Sequence, residues 1–291
     1  METGELIRKV RRIQIAARRL VEDALSGTYS SAFRGLGMEF DEVREYQAGD
    51  DVRSIDWNVT ARAGHPYVKR YCEERELTVL LLVDGSSSAA FGSGAQSKLE
   101  LAGELSAAIA LAAVSNHDKV GLALFTDKVD LYLPPRKGQG HVLRLIREIL
   151  NFAPTRAGTD IGQALEFLSR VQRRRALVFL ISDFFSGPFE HALDLASKRH
   201  EIIPLHIMDR REQELPALGL VRLEDAETGE QVIVDTASRA LRSGYTRASE
   251  QFTATLEQGF RKRDLDYLTL RTAEDYLLPM RRLFKRREKR H

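Results

Sequence analysis

Near-continuous apolar runs at 78–83, 120–125, 176–182 and 201–208 alternate with segments in which apolar residues recur every three or four positions. An unbroken apolar run of that length predicts a strand buried on both faces, as in the middle of a parallel sheet. The intervening segments predict helices. The first opens at the capping box Ser97-Lys98-Leu99-Glu100 and runs to about residue 115; others fall at 141–151, 161–172, 189–198 and 238–263. A strand at 129–133 follows 120–125 closely enough to be its antiparallel neighbour; a last strand falls at 267–271 and a terminal helix starts at 273. Segments 220–223 and 231–234 flank a turn at Thr228-Gly229 and predict a hairpin. Strands alternating with helices of this length force crossover connections. The expected fold is therefore α/β, a doubly wound, mostly parallel sheet over 77–291 with a hairpin insertion near 219–235.

The first 76 residues carry a different pattern. Leu6, Val10, Ile13, Ala17, Leu20 and Ala24 step by fours and threes, which predicts an amphipathic helix over 3–25. From 28 to 76 the chain is polar, turn-rich and aromatic, with strand-like pieces at 38–45 and 67–72. A small β-rich appendage is expected there, making 1–76 a unit distinct from 77–291.

Charge adds a detail to this picture. Residues 8–19 carry +6 and residues 281–291 another +6, against a total of +2, so basic ends flank an acidic body. Such ends suit solvated helix faces, and no helix–turn–helix, zinc or RNA-recognition signature accompanies them. The single cysteine, Cys72, excludes an internal disulfide framework and a Cys-rich zinc cage. No apolar run approaches the ~20 residues that span a bilayer, and the basic N-terminal stretch lacks the apolar core of a secretory signal. A cytoplasmic chain is expected.

In an open α/β sheet, ligands bind where loops leave the carboxyl ends of the strands. Three polar features should meet at that edge: Asp84-Gly85-Ser86-Ser87-Ser88 after the first strand, Ser182-Asp183 closing the 176–182 strand, and Gly158-Thr159-Asp160 before the 161–172 helix. Their oxygens form two carboxylates and three hydroxyls, with no imidazole or thiolate nearby in sequence. All-oxygen donors of low charge suit a hard cation, Mg²⁺ first, with Mn²⁺ or Ca²⁺ as alternatives. Asp84, Ser86 and Ser88 alternate and can face one point, with Gly85 expected to relax the backbone. Five such donors, some acting through water, leave a coordination position for an outside carboxylate.

The pattern Asp84-x-Ser86-x-Ser88, then Thr159, then Asp183 is similar to the metal-ion-dependent adhesion site of von Willebrand A domains. Upstream, Gly37-Met38-Glu39-Phe40, Arg44-Glu45-Tyr46, Gly49-Asp50-Asp51-x-Arg53, Ile55-Asp56-Trp57 and Ala61-Arg62 resemble the signature block of the bacterial "domain of unknown function 58" family, which joins such a block to a von Willebrand A-like domain. Ala89 departs from that family, where many members have Met. The resemblance implies a non-catalytic protein-interaction module in a complex-assembly or chaperone-like role, with a MoxR-type AAA+ ATPase as partner. Within the block, the mixed signs of Arg44, Asp50, Asp51, Arg53, Asp56 and Arg62 predict ion pairs and turn hydrogen bonds, and Tyr46 and Trp57 are expected to be packing anchors.

The rival reading is a Mg²⁺-dependent phosphatase-like hydrolase of the haloacid dehalogenase type, with Asp84 as nucleophile. Against it, position 86 is Ser where a second Asp normally serves as acid–base. The histidines, among them His65, His117, His141, His191, His200 and His206, show no metal-ligand spacing, and nothing selects a Ser–His–Asp triad.

Overall fold

The computed structural model of the protein describes Tyr29 and residues 38–73, 76–153 and 158–289. The helix expected over 3–25 lies outside these residues. Upstream, β1 (Met38–Glu45) and β2 (Tyr67–Glu73) form an antiparallel pair with an irregularity between Phe40 and Glu42. Between them lies α1 (Trp57–Ala63), a helix the β-rich expectation did not contain. Its boundaries follow local rules. The Asp56 side chain accepts from the amides of Asn58 and Val59, and Gly64 ends the helix at φ 79, a conformation that favours glycine. Arg44 and Asp50 form a bidentate ion pair at 2.7 and 2.8 Å, and Asp51 accepts from the Arg53 amide. Trp57, expected as a packing anchor, is instead 66% exposed. It occupies the first position of a short helix none of whose residues is buried.

The main sheet contains β3 (Thr78–Asp84), β4 (Lys119–Phe125), β5 (Val129–Arg136), β6 (Leu177–Ser182), β7 (Glu201–Met208) and β10 (Leu268–Arg271). Their order is β10-β7-β6-β3-β4-β5, parallel throughout except for β5 against β4. The helices between them are α2 (Lys98–Ser115), α3 (Gln139–Leu150), α4 (Ile161–Val171), α5 (Glu190–Ser197), α6 (Arg239–Lys262) and α7 (Leu277–Glu288). β8 (Leu220–Glu224) and β9 (Gln231–Asp235) pair only with each other, as the predicted hairpin.

Strand periodicity explains the two layers of helices. Along β3, Val79, Leu81 and Val83 point into a core that includes residues of α2, α3 and α7, while Leu80 and Leu82 point into a second core with residues of α4, α5 and α6. The many alanines of α2 are buried nearly all round, as a helix packed close against a sheet requires. β5 runs through Pro134 and Pro135 because it is an edge strand, where a missing N–H leaves no neighbour unbonded. The terminal helix begins at Leu277 rather than at 273, since Ala273 sits at φ 60 and cannot be helical. Among the described residues no helix is long and apolar enough to cross a membrane.

Two core histidines make the fold sensitive to acid. His200 and His206 are buried, and burial lowers each to about 4. At His206 the Asp183 charge opposes this, while Lys98 and Arg271 add to it, and Nδ1 has no hydrogen-bond partner. The folded state thus favours the neutral ring. Its contribution is complete above about pH 6.5 and is lost as pH falls toward 4, about 3 kcal/mol for His206. We expect His206→Asn to shrink the gap in unfolding free energy between pH 7 and pH 4.5, read from urea melts. An undiminished gap would remove His206 as a cause.

Candidate metal centre

Parallel pairing sets the geometry of the site. Val83 of β3 lies beside Ile181 of β6, so the two strands end together and release Asp84 and Asp183 at the same edge. Both side chains are buried, at 1% and 2% exposure. The Asp84 carboxylate accepts from the Ser86 amide at 2.9 Å and from the Ser182 hydroxyl at 2.6 Å. Asp183 accepts from the Ser88 hydroxyl at 2.8 Å and from the Phe185 amide at 3.1 Å. The Ser86 and Ser88 hydroxyl oxygens stand 3.0 Å apart. Four of the five residues expected at the site therefore form one connected cluster.

Gly85 serves that cluster differently from expectation. Its φ is not positive, so no glycine freedom is used there. A Cβ at Gly85 would instead fall inside the Phe152 ring, which packs against the loop. Glycine is needed for close approach, not for backbone relaxation.

Thr159 reaches the same edge by another route. The Asp160 amide donates to Thr126 O beyond β4, and Ser186 Oγ donates to Thr159 O at 3.2 Å while accepting from the Ile161 amide. Asp160 caps α4 by accepting from the Gln163 amide, which leaves the Thr159 hydroxyl available. That hydroxyl bonds to none of the other four residues. It donates to Glu227 Oε1 at 2.8 Å, at the tip of the β8–β9 hairpin.

Sequence reasoning missed a cation within the cluster. Lys98, fully buried at the first position of α2, donates to Asp183 Oδ2 at 2.7 Å and to Glu212 Oε1 at 2.5 Å. Burial pulls its ammonium down, but the charges of Asp183 and Glu212 outweigh that and hold it above its ordinary value. A lysine in the first turn of a helix opposes the helix dipole, and this was the available signal. Ser182, which locks Asp84, and Glu227 were likewise not assigned roles.

The charge balance tests whether a cation suits the place. Lys98 and Glu212 cancel, leaving two buried carboxylates, Asp84 and Asp183. Burial first, and then the Asp183 charge, raise Asp84 to about 6, against the pull of its bonds to Ser182 and Ser86. Two uncompensated negative charges match one divalent ion. The 3.0 Å between Ser86 Oγ and Ser88 Oγ equals the edge of an octahedron with metal–oxygen bonds of about 2.1 Å. Among the described residues no group of three or more His, Cys, Asp or Glu side chains is placed to hold a metal. Hydroxyl oxygens are therefore needed beside the two carboxylates, as Mg²⁺ and its relatives accept. The residues fit a hard divalent cation.

A raised carboxyl also has a stability consequence. The folded state favours protonated Asp84, so its contribution is present below about pH 4 and is lost as pH rises through 6, opposite in sign to His206. In chelator at pH 7.5, Asp84→Asn should be more stable than the parent by about 1–3 kcal/mol, because it removes a buried charge and keeps the shape. Urea denaturation checks this. A large loss of stability would mean that the charge is compensated in some other way.

Comparison with known proteins supplies relatives without assigned functions. An uncharacterised protein of Mycobacterium tuberculosis is 33% identical over 282 residues, spanning 95% of this chain and 88% of the relative. The uncharacterised protein YeaD of Bacillus subtilis is 26% identical over 183 residues, 62% of this chain and 43% of its own length. Among solved structures, BatB from Bacteroides thetaiotaomicron covers 73% of this chain and 99% of its own at TM-score 0.47 and 16% identity. The von Willebrand A domain of SpRpn10 covers 70% and 93% at TM-score 0.39 and 13% identity. The model of the family described as protein of unknown function DUF58 matches residues 42–255, and the chain belongs to that family.

Proposed function

We propose that the chain is a non-catalytic docking module in which Asp84, Ser86, Ser88, Thr159 and Asp183 hold a divalent cation, Mg²⁺ in the first place, for engaging an acidic residue of a protein partner. The observation that carries this reading is the buried Asp84–Asp183 pair, whose charge Lys98 does not fully neutralise once Glu212 is counted. When bound, the cation supplies a positive centre with a coordination position open to a partner's carboxylate.

The chain's own residues prepare that centre. Ser88 donates its proton to Asp183 and so accepts from the Ser86 hydroxyl, which leaves one lone pair of the Ser88 oxygen and both of the Ser86 oxygen for a cation. Ser182 and the Ser86 amide fix both oxygens of Asp84, so the carboxylate is preorganised rather than mobile. Lys98 donates to Asp183, and the Phe152 ring packs against Gly85 in the Asp84–Ser88 loop. A MoxR-type AAA+ ATPase is the proposed partner class, on the strength of the family resemblance. The phosphatase-like alternative needs an accessible nucleophile, whereas Asp84 is 1% exposed with both oxygens engaged. Among the described residues, no histidine ring is hydrogen-bonded to a serine hydroxyl.

In a thermal melt Mn²⁺ should stabilise the parent chain by about 2.7 kcal/mol at a hundredfold excess over Kd, and Asp84→Ala should abolish this without unfolding the protein. A pull-down with and without chelator then reads partner capture, which should fail in chelator and in Asp84→Ala alike. Capture that survives both treatments refutes metal-dependent docking.

A further inference from the structure

The β8–β9 hairpin is a separate two-stranded ribbon, and much of its apolar surface lies open: Leu220 is 75% exposed and Ile233 69%. A hairpin on its own is marginally stable in water, so its ends need fixing, and both are fixed. At the base, the Thr236 amide and hydroxyl both donate to Gly219 O, at 2.7 and 2.8 Å, and Thr236 is fully buried. At the tip, the Asp225 side chain accepts from the amides of Glu227 and Thr228, and Gly229, at φ 71, closes the turn onto Asp225 O. That turn fixes the direction of residue 227.

Glu227 is thereby held over the sheet edge. Its carboxylate accepts from the hydroxyl of Thr159, a residue 68 positions away and one of the five cation donors. It is half-buried and near enough to Asp183 to feel its charge, and no ion pair to a basic residue accompanies it among the described contacts. Its charge is unfavourable beside those of Asp183 and Asp225, which Lys98 offsets only in part, and a cation between Glu227 and Asp183 would relieve it. The chemistry demanded of a docking partner, an acidic side chain presented from a protruding turn, is what the hairpin presents.

We infer that Glu227 is this chain's own acidic ligand for the cation site: when an ion binds, the tip of the β8–β9 hairpin closes from Thr159 onto the position meant for a partner's carboxylate, and it must move off before a partner binds. This rests on the metal-site reading proposed above and adds a regulation to it. The site is self-shielded, and partner affinity is lowered by the fraction of molecules in which the hairpin is docked.

The test is a calorimetric Mn²⁺ titration of the full chain as parent, Glu227→Gln, Glu227→Asp and Asp84→Ala, with amide hydrogen exchange followed over residues 225–230. We expect Glu227→Gln to weaken Mn²⁺ binding about tenfold or more, with Glu227→Asp between it and the parent. Mn²⁺ should slow exchange at the tip in the parent and not in Glu227→Gln. Acetate in excess should restore Mn²⁺ affinity to Glu227→Gln by filling the vacated position. If Glu227→Gln binds Mn²⁺ as tightly as the parent, and the tip exchanges equally with and without the ion, the hairpin is no ligand and this inference falls alone. If the parent fails to bind Mn²⁺ at all, the metal-site reading itself falls, and this inference with it.

Discussion

Asp84 and Asp183 end neighbouring parallel strands, and the pairing of β3 with β6 delivers both carboxylates into one buried corner. Two negative charges so placed are costly in a medium from which water is excluded. Much of the local architecture answers that cost. Ser182, Ser88 and the amides of Ser86 and Phe185 donate to the four carboxylate oxygens, and Lys98 adds a buried ammonium. Removing such a buried partner typically costs about 3–5 kcal/mol, because the remaining charge is left uncompensated. Glu212 draws on the same ammonium, so the corner keeps a residual negative charge. A corner of this kind has the residual charge to suit a divalent cation.

The surrounding elements make the corner rigid. The 158–160 loop is fastened to the end of β4 through Thr126 and to the segment after β6 through Ser186. The Asp84–Ser88 loop is clasped by the Phe152 ring. Asp209 extends the network away from the site: it accepts from Ser93 and Thr272, and its amide donates to Glu212. The ends of β3, β6, β7 and β10 are thus connected through polar side chains. The β8–β9 hairpin contrasts with this frame. Its apolar faces are largely open, and a single tip residue reaches the site.

The main sheet was legible because strands buried on both faces leave continuous apolar runs, and the edge strand could be placed because it follows β4 through a tight turn. The Ser97–Glu100 capping box marked the start of α2. α1 escaped notice because seven residues in a turn-rich stretch show too little periodicity, although Asp56 and Gly64 were written as its caps. Trp57 was misjudged because an aromatic in a dense block resembles a core anchor, whereas α1 is too short to bury it. Asp84, Ser86, Ser88 and Asp183 could be grouped from strand-end positions alone. Lys98 and Glu227 could not, since their partners lie 85 and 68 residues away and only the folded chain brings them together.

The most direct measurement is anomalous diffraction from a crystal of the full chain soaked in Mn²⁺. A single peak within bonding distance of Ser86 Oγ and Ser88 Oγ, about 2.0–2.2 Å, with Asp84 and Asp183 flanking it, is the predicted result. Density for Ser86, Ser88 and Asp183 in their present hydrogen bonds, with no anomalous peak at saturating Mn²⁺, would contradict the account.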